Sequence, residues 1–199
     1  MSGPLGTVRH MAVTRASAAS ASRLTVDEFF ALPGEQRHVQ LIDGEIVVNS
    51  PNTRHQRLVG WLYARLFVFA EANPGLGEPG LELDTPIDEH SVYLSDVWWA
   101  TPARAPGPRR FAGPPDLAVE VRSPSTWRFD VGRKKDGYEA AGLRELWLVD
   151  TETDRVTVWR RSSPDAPTFD VTFTVGAGDT LSTPIIPGLA LDVSTLFDR

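Results

Sequence analysis

Residues 115–150 have the sequence PDLAVEVRSPSTWRFDVGRKKDGYEAAGLRELWLVD, which predicts two strands joined by a helix. Apolar residues dominate Asp116–Arg122 and again Glu145–Asp150, as is typical of short strands. Between them, a helix is predicted over Asp130–Ala141, and Gly142 follows where glycine commonly ends a helix. The order strand, helix, strand indicates an α/β protein.

Helices and strands are also predicted on both sides of this segment. A capping box of Thr25 and Glu28 begins a short helix, and Asp43-Gly44 is a strong local signal for a hairpin turn. Five prolines between Thr101 and Pro115 predict an extended external loop. The other predicted elements are helices over 24–32 and 55–72, a hairpin over 38–48, strands over 81–87, 92–100, 156–160 and 168–175, and a strand with a short helix over 180–197.

The predicted elements form a mixed β-sheet flanked by helices, with an extra N-terminal hairpin and further C-terminal strands. A length of 199 residues fits one domain, which we expect over residues 23–199. Residues 1–22 mix Ala, Ser, Thr and Arg without a continuous apolar segment, so we expect a disordered tail instead of a signal peptide.

Composition excludes several kinds of protein. The chain has no cysteine, so any metal must bind oxygen or imidazole. Apolar runs are shorter than the ~20 residues of a membrane span, so we expect no membrane contact and a cytoplasmic location. A net charge of -6 argues against non-specific coating of nucleic acid, which needs an excess of Lys and Arg. A nuclease stays open, because active-site carboxylates add negative charge themselves.

Two carboxylates occupy positions where a charge is unexpected. Asp96 lies inside the apolar run 92–100, and Glu120 follows Leu117-Ala118-Val119. Because side chains alternate along a strand, Glu120 and Arg122 share one face.

A lysine on the predicted helix can complete a catalytic set. Lys134 and Tyr138 are about one turn apart, so both approach Glu120 if the helix packs on the preceding strand. Carboxylates hold a divalent cation, the cation activates a water and polarises a phosphoryl oxygen, and an ammonium offsets charge on phosphorus. The Val121 carbonyl is a natural additional ligand. The set predicts phosphodiester hydrolysis.

Each of these residues also has a simpler interpretation. An acid at a strand end is usually solvated, and Lys134 belongs to a charge run, Arg133-Lys134-Lys135, of a kind that is more often an exposed helix face. Tyr138 fits a core residue, and Asp130 is most simply the N-cap of its helix. The tryptophans in strands are expected to pack in the core.

Two motifs carry a family resemblance. The segments PDLAVEVRSPST and AAGLRELWLVD flank Asp130, Lys134 and Tyr138, and LIDGEIVVNSPNTRHQRLV lies near the N-terminus. Together they resemble the Uma-two family (DUF820 type) of restriction-endonuclease-like proteins over the whole predicted domain. The resemblance implies a restriction endonuclease-like PD-(D/E)xK core, with Asp96 and Glu120 as its two acids and Lys134 as a lysine moved from strand to helix.

The sequence departs from the family pattern at three positions. Ser95 replaces a proline before the first acid, and Gln40 stands where the family usually has glutamate. Arg122 occupies a position where other nucleases of this fold place lysine; it stays protonated, so it can steady a phosphate but cannot act as a base. Secondary candidates for the site are His55, Arg122, Tyr138 and Glu45.

We therefore expect an endonuclease that cleaves DNA with Mg or Mn, with Asp96, Glu120 and Lys134 as catalytic residues. Asp96, Glu120 and the Val121 carbonyl are the expected metal ligands. The rival is a catalytically idle relative that serves as a nucleic-acid-binding or regulatory module, and either form could be a homodimer. The acid, acid and lysine set favours the enzyme, whereas the net charge and Gln40 favour the rival. An unrelated sugar or nucleotide hydrolase would need a substrate pocket that the sequence does not indicate.

Overall fold

The computed structural model describes residues 23–34 and 38–198. In chain order the elements are α1 (Val26–Phe30), β1 (Val39–Ile42), β2 (Glu45–Val48), α2 (Thr53–Ala72), β3 (Glu78–Leu81), β4 (Asp84–Asp88), β5 (Ser91–Leu94), β6 (Val97–Ala100), a 3₁₀ turn (Pro102–Arg104), β7 (Leu117–Val121), α3 (Trp127–Phe129), a π-helical turn (Asp130–Lys134), α4 (Lys135–Ala140), β8 (Glu145–Asp150), β9 (Arg155–Arg160), β10 (Val171–Val175), β11 (Thr180–Leu181), β12 (Leu191–Asp192) and α5 (Val193–Phe197). The predicted tail, residues 1–22, lies outside the described residues.

Most strands belong to two sheets. Among the described residues, the larger sheet has six strands in the order β10-β9-β8-β7-β6-β3, and the smaller sheet has four in the order β2-β1-β5-β4. In the larger sheet β7 and β8 are parallel and the other pairs are antiparallel. A parallel pair needs a long crossover, which the helical segment after β7 supplies. The predicted mixed sheet flanked by helices is confirmed.

Apolar side chains cover both faces of the larger sheet. On one face, Leu58 and Leu62 of α2 are buried against strands β6 to β8. On the other, Phe129 and Tyr138 from the helical segment pack with Ala118 of β7. Glu120 follows Ala118 by two residues and therefore points to the same side as the helical segment.

Two predicted strands are each divided between the sheets. The run 92–100 overlaps β5 in the smaller sheet and β6 in the larger, with Ser95 and Asp96 between them. The run 81–87 is divided in the same way, and Glu82 has a positive φ of 33° at the change of sheet. The prediction of one continuous strand at each place was wrong. Where the chain changes sheet, neither run has a glycine or proline, the residues that usually signal such a break in a sequence.

The helix predicted from Asp130 begins earlier. Trp127 starts the helical segment and Asp130 lies inside it, at the first residue of the π-helical turn. Its prediction as an N-cap was therefore wrong. A π-helical turn accommodates an extra residue and is often found at functional sites. The segment ends as predicted, with Gly142 at φ 85°.

Several local predictions are confirmed and others shift by a few residues. The capping box of Thr25 and Glu28 is present, and the hairpin turn places both Asp43 and Gly44 at positive φ. The proline-rich loop is not wholly external, because Phe111 is buried. Within the described residues, none of the helices combines the length and apolar character that crossing a membrane requires.

Candidate active site

The two predicted acids meet where the sheets join. Glu120 is near the end of β7, and Asp96 lies in the junction between β5 and β6. Because β6 pairs with β7, this junction lies beside the end of β7. Asp96 Oδ2 accepts a hydrogen bond from the Val121 N–H at 2.7 Å. The backbone of β7 thus fixes one carboxylate next to the other, and the two residues retain only 4% and 3% exposure.

Lys134 lies between two carboxylates and is 0% exposed. Its Nζ is 2.7 Å from Glu120 Oε1 and 3.2 Å from Asp130 Oδ1. Both contacts join opposite charges, so electrostatic attraction holds the ammonium in place. The Tyr138 hydroxyl donates to the same Glu120 oxygen at 2.8 Å. The structure brings Lys134 and Tyr138 to Glu120 as their spacing predicted, and the interpretation of Lys134 as an exposed helix face was wrong.

Asp130 is the member of this cluster that sequence reasoning missed. Its Oδ2 accepts a hydrogen bond from the Thr126 hydroxyl at 3.1 Å, while its Oδ1 faces Lys134. The four-residue spacing of Asp130 and Lys134 was an available signal, since such residues meet on one helix face.

His55 contacts the other acid. It lies in the first turn of α2, where the Asn52 side chain accepts a hydrogen bond from the His55 N–H at 2.9 Å. The ring Nε2 is 3.1 Å from Asp96 Oδ2, outside hydrogen-bond geometry. The ring Nδ1 has no hydrogen-bond partner among the described residues. The structure therefore places this secondary candidate in the site.

Burial sets the proton affinities of the cluster. Desolvation raises the pKa of Glu120 to about 8; Lys134 opposes the rise, and Asp130 and Asp96 add to it. Burial also raises the pKa of Asp130. For Lys134, burial lowers the pKa, but attraction to Glu120 and Asp130 outweighs it and leaves the pKa above its usual value. Burial and the Glu120 charge raise the pKa of Tyr138, so its hydroxyl keeps the proton that it donates.

Arg122 and Glu45 are not brought to the cluster. The Arg122 guanidinium is 3.1 Å from Asp150 and 2.7 Å from Glu152. Glu45 is exposed and lies 3.6 Å from Arg133. In the described part of the chain, neither forms a hydrogen bond or ion pair with the predicted catalytic residues.

The oxygen donors fit a hard divalent cation that keeps part of its water shell. The protein partners of Asp96 contact Oδ2 and those of Glu120 contact Oε1, so within the described residues Oδ1 and Oε2 are left for a cation. Over residues 23–34 and 38–198, no three His, Asp or Glu side chains form a complete metal site. Mg usually binds through one or two carboxylates and several waters, so an incomplete protein shell suits it.

The charges of the cluster also favour a cation. Three buried acids share one ammonium, since Lys134 contacts Glu120 and Asp130 while Asp96 lies beside Glu120. Burial and the charges of Asp130 and Asp96 keep the pKa of Glu120 high, so its ionised form needs a further positive charge. A bound divalent ion would reverse the local sign. The Val121 N–H is engaged with Asp96, and its carbonyl stays a predicted ligand.

Known proteins share both the sequence pattern and the fold. A family profile described as "Putative restriction endonuclease" matches residues 26–194, a range that includes every residue of the cluster. The chain belongs to the Uma2 family. A solved Anabaena variabilis protein, described as a "putative nuclease belonging to DUF820", is similar to this Uma2 chain with a TM-score of 0.73 and 21% identity. The match covers 88% of this chain and 98% of that one.

The comparisons confirm the family and the nuclease fold that the motifs of this Uma2 protein predicted. No curated protein matches the sequence.

Proposed function

We propose that this Uma2 protein is a metal-dependent endonuclease that hydrolyses phosphodiester bonds in DNA. The observation that carries the proposal is the convergence of Asp96, Glu120 and Lys134 in one buried cluster at the end of β7. Its family, whose description is "Putative restriction endonuclease", supports action on nucleic acid.

Asp96 and Glu120, with the Val121 carbonyl, are the groups that would hold Mg or Mn. Such an ion, when bound, lowers the pKa of a water and polarises the phosphoryl oxygen. The Val121 N–H holds Asp96 through Oδ2, with the His55 ring 3.1 Å from the same oxygen, so within the described residues Oδ1 is left for the ion. The protein thereby orients one acid before any cation arrives, and orientation by neighbouring groups tunes metal sites in general.

Lys134 and Tyr138 orient the second acid through Glu120 Oε1. Lys134 stays protonated because its pKa is raised by the carboxylates around it. A positioned ammonium stabilises the negative charge that develops on the phosphoryl oxygens during hydrolysis. We therefore assign Lys134 as the catalytic cation. Arg122 is given no role in the reaction, because its guanidinium pairs with Asp150 and Glu152.

A plasmid-nicking assay with Mg or Mn tests the activity. Asp96→Asn, Glu120→Gln and Lys134→Met are each expected to lower the rate by about 10²–10³, as loss of one transition-state contact does. Lys135→Met removes the chain's other lysine, whose side chain contacts Asp136 and Glu139 instead of the cluster, and should retain activity. Absence of cleavage of supercoiled, linear and single-stranded DNA with both metals would refute the proposal.

Calorimetry with Mn tests the metal site separately. Binding should disappear in Asp96→Ala and in Glu120→Ala, because each supplies a carboxylate oxygen. Unchanged binding in both variants would remove the assignment, whatever the nicking assay shows.

A second candidate function is nucleic-acid binding without cleavage. The observation that favours it is the burial of Lys134, whose ammonium is already paired with Glu120 and Asp130 and has no exposed surface. A wild-type protein that shifts a DNA fragment on a gel, and leaves it intact with Mg and Mn, would support this function.

A further inference from the structure

We propose that Asp130 is a positioning residue that holds the Lys134 ammonium against Glu120. The inference rests on the proposed function, because it assigns Asp130 to the same site. It adds a third carboxylate that binds no metal in this scheme and acts only through the lysine.

The first observation is the place of the ammonium. Lys134 Nζ lies between Glu120 Oε1 at 2.7 Å and Asp130 Oδ1 at 3.2 Å, and both carboxylates are almost fully buried. A buried ammonium separated from water depends on the charges around it. With Asp130 neutralised, a single carboxylate would remain to hold Lys134, so the lysine would leave its place more often.

The second observation is that Asp130 is itself held in place. The Thr126 hydroxyl donates to Asp130 Oδ2 at 3.1 Å, and Thr126 Oγ1 is 2.8 Å from Ser123 Oγ. The two oxygens of Asp130 thus have separate partners, one a hydroxyl and the other the ammonium. Hydrogen bonds from neighbouring groups commonly fix the orientation of a functional side chain, and the Thr126 hydroxyl supplies such a bond to Asp130.

The third observation is the tight packing around the lysine. Lys134 Nζ is 5.8 Å from the centre of the Tyr93 ring, and the rings of Tyr93 and Tyr138 meet edge to face at 5.0 Å. Gly137 brings the helix close to Tyr93, since a Cβ there would lie 2.2 Å from the tyrosine hydroxyl oxygen. The aromatic rings restrict the aliphatic part of the Lys134 side chain, and the two carboxylates hold its ammonium.

Amine labelling tests the contact directly, because Lys134 and Lys135 are the only lysines. Acetic anhydride should modify Lys135 readily and Lys134 very slowly in the wild-type protein, as followed by peptide mass spectrometry. Asp130→Asn should speed labelling of Lys134 by about tenfold or more, because the amine would leave its buried place and meet the reagent more often; a tenfold change corresponds to about 1.4 kcal/mol. Lys135 in the same molecules is the internal standard.

Asp165→Asn is the matched control, because Asp165 is exposed in the turn after β9 and the substitution leaves the ion pairs of Lys135 with Asp136 and Glu139 in place. It should leave labelling of Lys134 unchanged. An Asp130→Asn protein in which Lys134 is as protected as in the wild type would overturn the proposal. The labelling needs neither metal nor DNA, so it decides on the contact even if the wild-type protein cleaves nothing and the proposed function fails.

Substitution of Thr126 gives a second test that keeps the Asp130 carboxylate. Thr126→Val removes the hydroxyl with little change of shape and should raise Lys134 labelling, whereas Thr126→Ser keeps the hydroxyl and should restore protection. Equal labelling of Lys134 in the valine and serine variants would contradict the role of the hydroxyl in positioning Asp130.

Kinetics then separate positioning from a structural role. In the nicking assay, Asp130→Asn should lower kcat by about tenfold to a hundredfold with little change of KM, because the lost contact matters in the transition state. Added to Lys134→Met, the same substitution should cause no further loss, since Asp130 acts through the lysine. An unchanged kcat in Asp130→Asn, or an equal loss in both backgrounds, would overturn the assignment.

Discussion

Glu120→Gln should stabilise the protein at alkaline pH while greatly lowering its proposed activity. Burial raises the pKa of Glu120 from 4.5 to about 8. Each pKa unit corresponds to about 1.4 kcal/mol, so ionised Glu120 lowers the free energy of unfolding by up to about 5 kcal/mol. Glutamine keeps the shape of the protonated acid and carries no charge, so it removes this penalty.

The sign of the pH dependence follows from the two pKa values. Below pH 4.5 Glu120 is protonated in both the folded and the unfolded protein, so its titration does not change the free energy of unfolding. Between pH 4.5 and 8 the unfolded chain releases this proton and the folded protein keeps it, so the wild type loses stability as the pH rises. Above pH 8 both states are ionised and the full penalty remains.

Urea unfolding of both proteins from pH 4 to 9 measures the effect. The stability of Glu120→Gln minus that of the wild type should be small at pH 4 and grow up to a plateau above pH 8. Glu71→Gln, on the exposed surface of α2, is the control and should show no such growth. A difference that stays constant from pH 4 to 9 would refute the reasoning.

Three other predictions concern the site and its support. Binding of Mn at pH 7 should release up to one proton, because the cation displaces the proton that Glu120 holds below about pH 8; equal calorimetric heats in buffers of different ionisation enthalpy would contradict this. Gly137→Ala should lower stability by about 1–3 kcal/mol, since its Cβ would lie 2.2 Å from the Tyr93 hydroxyl oxygen, whereas Gly132→Ala meets no atom within 4 Å; equal melting temperatures of the two variants would count against it. Asn52→Ala should lower the free energy of unfolding in urea by about 1 kcal/mol through loss of the α2 cap, and Asn52→Asp should not.

The sequence predicted those parts of the fold and site that depend on local periodicity. Alternation along residues 116–122 placed Glu120 on the side of the following helix, and helical spacing brought Lys134 and Tyr138 to it. An unexpected charge in an apolar run pointed to Asp96, and the family resemblance joined it to Glu120, to which no local pattern connects it. Their catalytic roles stay predictions.

Other features depend on packing between distant segments. The division of residues 92–100 between two sheets follows from which strands are available as neighbours, and a continuous apolar run does not show it. Asp130 was assigned to a helix start because aspartate is common there, whereas the helix begins at Trp127 and buries the acid. A π-helical turn leaves no comparable sequence signal.

Because Asp96 lies at the junction of the two sheets, the distance between Asp96 and Glu120 depends on the angle between the sheets. Glu120 belongs to the larger sheet, while the chain reaches Asp96 directly from the smaller one. The Val121 N–H holds Oδ2, so a small rotation of the smaller sheet would pivot the carboxylate about that bond and move Oδ1. Mg requires oxygens at about 2.0–2.1 Å and Ca accepts about 2.3–2.6 Å. Substitutions in β1 or β4, which supply none of the cluster residues, are therefore a route by which ion preference can change while every acid is kept.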